Sequence, residues 1–208
     1  MTGQEIIDRF ELYVDDGTEL SSSEELDLLN KIYRQILNSR PWEFLKKEFS
    51  TITTGLNYVT LPADFAYFIA NGNYTENNVE YQGNQAPKII LVGNTEYKLV
   101  NWSDRRKYLN SSGYAYVDLA NNRLYFSDTP ASGQMVSADY IYRPADITIT
   151  TSPIFPEDFH PAIYHGMASE DYIIQQFDKA RSYSAENKER FNNYLANMAY
   201  WNAQLLNN

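Results

Sequence analysis

The residue types that most often carry chemistry are sparse in this chain. His160 and His165 are its two imidazoles. They stand five residues apart, about 140° around a helix, so they do not share a metal as an i, i+4 pair would. Each reads as a helix-start or packed histidine. Cysteine is absent, which removes disulfides, thiolate metal sites and a cysteine nucleophile. There is no Gly-x-Ser-x-Gly elbow to present a serine nucleophile. There is no Gly-rich loop of the kinds that cradle phosphates. Asp15-Asp16-Gly17-Thr18-Glu19 lacks the alternating acids and terminal Glu of a calcium loop and reads as a solvated acidic turn. Glycoside cleavage needs a carboxylate pair that forms in space. Asp104, Asp118 and Asp128 are the candidates for it, with Trp102 and neighbouring tyrosines as a sugar-stacking platform. The competing reading of the same residues is a β core with amphipathic edges. No catalytic cluster, cofactor site or metal site emerges, so the expectation is a protein that is not an enzyme.

Elements that would position these residues follow from the apolar spacing. Ile6, Ile7, Phe10, Tyr13 and Val14 share one helical face, and Gly17 is placed to stop that helix. Ser21, Ser22 or Ser23 can cap a second helix, with Glu24 or Glu25 completing a capping box. Its stripe is Leu26, Leu29, Tyr33, Ile36 and Leu37. Arg40-Pro41 breaks it, and Pro41 can open a short third helix containing Trp42, Phe44 and Leu45. From about Ser50, short β-rich runs alternate with Gly, Asn and Pro. Residues 49–54 and 57–61 flank Thr54-Gly55 and predict a hairpin. Further strands are predicted near residues 67–69, 79–81, 89–92, 97–100, 114–119, 123–126 and 135–143, with a tight turn at Ala120-Asn121-Asn122. Between two of these runs, Ser103 or Asp104 can cap a short helical turn. Glu157-Asp158-Phe159-His160-Pro161 reads as a helix start. Helix then runs toward the end of the sequence, with a break expected over 179–184.

The expected fold is therefore α+β: N- and C-terminal helices form a helical bundle, and a mostly antiparallel β domain is inserted between them. The expected boundaries are 1–49, 50–152 and 153–208. At 208 residues the chain is long enough to bury a core without staples. Its hydrophobic content of 43% excludes a mainly disordered polymer. No apolar run approaches the ~20 residues of a membrane-spanning helix, and the start lacks the basic and apolar regions of a signal peptide.

Charge is the sharper constraint. The formal net charge is −10, which argues against gripping nucleic acid by counterion release and against a polybasic membrane anchor. Residues 1–49 carry 11 Asp+Glu against 6 Lys+Arg, a net −5. Arg105-Arg106-Lys107 is the basic cluster and reads as a salt-bridged edge facing an acidic neighbouring subunit. Residues 191–208 contain no charged side chain. They carry a stripe of Phe191, Tyr194, Leu195, Met198, Trp201, Asn202 and Leu205. Burying Asn and Ala costs far less than burying Lys or Glu, so an uncharged helical end suits a partner's groove. The same stripe could equally pack on the N-terminal helices.

Several stretches resemble the head–tail adaptor (connector) proteins of tailed bacteriophages. They are Tyr33-Arg34-Gln35-Ile36, Arg40-Pro41-Trp42-Glu43-Phe44-Leu45, Tyr58-Val59-Thr60-Leu61-Pro62-Ala63-Asp64-Phe65 and Asn101-Trp102-Ser103-Asp104-Arg105. Phe155-Pro156-Glu157-Asp158-Phe159-His160 and Met198-Ala199-Tyr200-Trp201-Asn202-Ala203-Gln204 extend the likeness over nearly the whole chain. The resemblance implies a structural virion protein at the head–tail junction, present in the host cytoplasm during assembly. It implies a dodecameric ring beneath the portal, with the helical part docked on the portal and the β part facing the tail or nozzle. DNA would pass through the centre without specific binding. The portal-binding residues expected on this view are Phe191, Tyr194, Leu195, Met198, Tyr200, Trp201, Leu205 and Leu206. Trp102, Arg105 and Arg106 are the expected subunit or tail contacts. The alternatives are a carbohydrate-binding or carbohydrate-cleaving tail component, and an interaction module unrelated to virions.

Overall fold

The computed structural model describes residues 1–14, 20–70, 74–76, 79–81, 86–109, 111–174 and 180–205. The stop expected at Gly17 lies outside them. The chain divides into a helical unit, Met1–Phe44 with Pro144–Asn208, and a β unit, Leu45–Arg143. It is thus α+β, with helices at both ends of the sequence. The composition change near Ser50 falls inside the first strand.

In the helical unit, α1 (Gly3–Tyr13) opens on a reciprocal cap. The Glu5 N–H donates to the Thr2 hydroxyl at 3.3 Å, and the Thr2 N–H donates to the Glu5 carboxylate at 2.7 Å. Helix α2 (Ser22–Asn38) starts at Ser21, whose N–H and hydroxyl both donate to Glu24, at 2.8 and 2.6 Å. These devices satisfy donors that a helix start otherwise leaves orphaned. Ile6, Ile7 and Phe10 of α1 and Leu29, Ile32, Tyr33 and Ile36 of α2 are buried. Helices α3 (Pro161–Ile174) and α4 (Ala180–Leu205) complete the unit. Of the break expected over 179–184, Lys179 lies outside the described residues and 180–184 are helical. Gly166 of α3 sits where a Cβ would come within 2.5 Å of Ile32 and 3.2 Å of Phe191. Its missing side chain therefore lets α2 and α4 close on α3.

The short helix expected from Pro41 is instead a 3-10 turn over Glu43–Leu45. The reason is visible in the hydrogen bonds. The fully buried Trp42 donates its indole N–H to the Ile36 carbonyl at 2.8 Å. The Glu43 N–H donates to Asn202 of α4 at 2.7 Å. These two bonds hold Trp42 and Glu43 to α2 and α4.

The β unit runs β1 (Lys46–Ile52), β2 (Tyr58–Thr60), β3 (Phe65–Phe68), β4 (Tyr74–Glu76), β5 (Val79–Tyr81), β6 (Ile89–Val92), β7 (Thr95–Leu99), β8 (Tyr114–Asp118), β9 (Arg123–Phe126) and β10 (Met135–Tyr142). Strands β4 and β5 form a two-stranded sheet, and the main sheet is ordered β1-β10-β6-β7-β8-β9-β2, with β3 also on β10. All its pairings are antiparallel except β7 with β8.

The hairpin expected between 49–54 and 57–61 does not form. Strand β1 pairs with β10 over seven residues, and β2 pairs with β9. Their connection is claimed from elsewhere: Thr53 N–H donates to the Gln134 carbonyl at 2.9 Å, and Phe126 N–H to the Asn57 carbonyl at 2.8 Å. Consecutive strands thus lie at opposite ends of a seven-strand path. In a flat sheet those ends would be about 29 Å apart, but the chain from Ile52 to Tyr58 reaches at most about 22 Å. The sheet must curl back on itself. Its concave side holds one cluster that includes Phe49, Phe68, Ile90, Leu124, Phe126 and Val136. At Ala120-Asn121-Asn122 the turn is as expected: Asn122 has φ 52°, and Asp118 accepts from the Ala120 N–H and the Asn121 side chain at 3.1 and 2.8 Å.

Candidate functional site

The uncharged end of α4 divides its side chains between two environments. Phe191 and Met198 are buried, as is Asn202 through its bond to Glu43. Trp201 is half-buried, 5.9 Å from the ring of Phe44 and 5.6 Å from that of Phe159. Leu195 is half-buried, Leu205 is exposed, and Tyr200 is 71% exposed. Leu206 lies outside the described residues. A helix stripe supplies both a core face and an exposed apolar edge, and the edge is Tyr200 with Leu205.

Tyr194 belongs to a third environment, which the sequence reading missed. It lines a cleft of about 410 Å³ in the helical unit, with Arg190, Asn193 and Asn197 of the same helix. Tyr13 of α1 and Tyr164 and His165 of α3 form the rest. Tyr13, expected to pack in the core stripe of α1, is instead 41% exposed and stacks on Tyr164 at 5.3 Å. The Arg190 guanidinium donates to the Tyr13 hydroxyl at 3.1 Å and to Glu186 at 2.5 Å. His165 is buried, its Nδ1 2.9 Å from Asn187 Oδ1, and burial pushes its pKa down. Burial also pushes the Tyr164 phenol up, with the Arg9 and Arg190 charges opposing. The signal was present in the sequence: Arg190, Asn193, Tyr194 and Asn197 are one i, i+3, i+4, i+7 stripe. What it faces is set by α1 and α3.

In the β unit, Trp102, Arg105 and Arg106 come together on a 3-10 segment, Trp102–Tyr108, which crosses from β7 to the parallel β8. Neither Ser103 nor Asp104 caps it; Asn101 holds that position, without a side-chain bond. The Arg105 guanidinium lies 3.8 Å over the Trp102 ring and donates to the Trp102 carbonyl at 2.7 Å. Lys107 pairs with Asp104 at 2.6 Å. Arg106 and Trp102 are exposed. Beside them Tyr67, Lys88, Trp102 and Leu119 line a groove of about 190 Å³. Burial pushes the Lys88 amine below its ordinary pKa.

The three carboxylates considered for glycoside cleavage each have a local partner. Asp104 holds Lys107, and Asp118 closes the β8–β9 turn, where Asn121 holds its pKa down. Asp128 accepts from Tyr97, whose pKa burial and that bond push up to about 12. Among the described residues no three His, Asp or Glu converge to hold a metal, and no helix is long and apolar enough to cross a membrane.

Over this fold, a family model described as SU10 adaptor protein matches residues 1–206. The chain belongs to that family. The adaptor is accordingly a tailed-phage head–tail adaptor, with a structural role in the virion at the head–tail junction. No curated protein matches the adaptor. Its family is defined by a structural role, which agrees with an architecture whose conspicuous side chains are packing aromatics, capped helices and exposed apolar edges.

Proposed function

We propose that the adaptor assembles as a closed ring of about twelve copies that joins the portal to the tail or nozzle and continues the DNA channel. The observation that carries this reading is the end of α4. Tyr200 and Leu205 are exposed on a helix that has no charge from residue 191 onward, while Phe191, Met198 and Trp201 anchor the same helix to its own unit. An apolar edge on a braced helix can enter a portal groove without large ordering or desolvation costs. Leu195, Tyr200, Leu205 and Leu206 make the portal contact on this view, and Phe191, Met198 and Trp201 hold them in place. The Trp102–Arg106 segment contacts a neighbouring subunit or the tail protein. Twelve copies of a −10 chain carry about −120 in formal charge, and acidic walls would repel phosphate and keep DNA moving.

The test is the mass of the full chain by light scattering, with electron-microscope images, alone and mixed with the portal of the same phage. A ring alone or on the portal supports the reading. A monomer or dimer indifferent to portal overturns it. Tyr200→Asp with Leu205→Asp should abolish portal binding while leaving the melting temperature in place.

A further inference from the structure

The cleft lined by Tyr13, Tyr164, Arg190 and Tyr194 is built from three helices, α1, α3 and α4. Its charged group, Arg190, only donates, while its tyrosine hydroxyls and asparagine amides both donate and accept. Arg190 has five N–H groups, and its bonds to Tyr13 and Glu186 leave others for an incoming carboxylate. The amides of Asn193 and Asn197 are exposed at its rim. Arg9, also exposed, is a second cation whose charge acts on the Tyr164 phenol. Glu186, one helical turn before Arg190, is paired with it. Stacked tyrosines beside an arginine fit a peptide surface that presents carboxylates over apolar stems.

We propose that this cleft receives an acidic segment of a second copy of this chain and is one half of the head-to-tail contact between neighbouring subunits. The argument is charge complementarity. The chain carries −10 overall and −5 in residues 1–49. On the helical unit, Asp8, Glu24 and Asp27 are exposed at the surfaces of α1 and α2. A closed ring needs two different faces on each subunit that fit one another. An arginine-bearing aromatic cleft and an acid-rich helical surface are such a pair, and they set register along the ring. This rests on the ring reading above and names the contact within it.

The absence of cysteine makes a direct test available. Asn193→Cys in the full chain, labelled with benzophenone maleimide, places a photo-crosslinker at the rim. Irradiating assembled protein, alone and on portal, should give a product of two chains of 24.1 kDa each, mapping to an acidic helical segment. Arg190→Gln and Arg190→Glu should lower its yield by about tenfold or more, with the helical signal and melting temperature of the labelled parent. Rings that form without this product overturn the inference and leave the ring reading standing. A crosslink to portal alone, or an unchanged yield in both Arg190 variants, also overturns it. Protein that stays monomeric alone and on portal overturns both readings together.

Discussion

Asn30 takes both backbone groups of Ile147: its Oδ1 accepts the Ile147 N–H at 2.7 Å, and its Nδ2 donates to the Ile147 carbonyl at 2.9 Å. Asn30 is buried on α2, and Ile147 lies 117 positions later, just after the chain re-enters the helical unit. One amide thus fixes the returning chain to the second helix without a shared secondary-structure ladder.

Replacing that amide should be costly. Asn30→Ala leaves a buried N–H and a buried C=O unpaired, and the expected loss is about 2–4 kcal/mol. Asn30→Asp loses the donor and buries a carboxylate against the Ile147 carbonyl, so at neutral pH it should cost at least as much. Denaturant unfolding of the three proteins checks the order; an Asn30→Ala protein as stable as the parent would refute it.

His160 sets an acid limit. Its ring is buried, with Nε2 3.0 Å from the Phe155 carbonyl and Nδ1 without a hydrogen-bond partner among the described residues. Burial holds its pKa below the ordinary 6.5, and the nearby amino terminus adds to this while Glu157 opposes it. A depressed histidine contributes stability fully present above 6.5 and lost as pH falls toward its folded value. Melting temperature should therefore decline as pH falls below about 6.5, less steeply in His160→Gln. His165, also depressed, supplies part of the slope that remains.

Glu25 acts with the opposite sign. It is 3% exposed on α2. Burial pushes its pKa above the ordinary 4.5, and the charges of Glu11 and Asp171 push the same way. Its raised pKa favours the folded state at low pH, a contribution lost as pH rises through the folded value. Glu25→Gln should raise the neutral-pH melting temperature by a few degrees, the scale of a change of about 1 kcal/mol. The gain should vanish in acid; calorimetry at two pH values decides.

Gly166→Ala weighs two effects. Alanine is intrinsically better in a helix by about 1 kcal/mol. Its Cβ, however, would stand 2.5 Å from a methyl of Ile32, which is itself 1% exposed and has nowhere to move. Overpacking of this kind costs about 1–3 kcal/mol. The expected net result is destabilisation, read as a lower denaturant midpoint with unchanged slope. A higher midpoint would mean that α2 and α3 can separate without loss.

Much of this molecule was legible in its residues one by one. The stripes of α1 and α2, the Ser21–Glu24 cap, the Asp118–Asn121 turn and the uncharged end of α4 depend on neighbours within a few positions. Local spacing and local hydrogen bonds determine such features, and the α+β order followed from them; the likeness to phage adaptors rested on matched stretches of sequence. The tertiary structure alone decided what met what. Residues 49–54 and 57–61 looked like a hairpin, but β10 and β9 offered the partners that close the sheet around Phe49 and Phe126. Pro41 looked like a helix start, but Ile36 and Asn202 claimed the polar groups of Trp42 and Glu43. Tyr13 looked like core until α3 and α4 left it at the wall of a cleft. Periodicity states which side chains avoid water. The choice among apolar faces and unpaired backbone groups is made by contacts distant in sequence, whose energies belong to the assembled core.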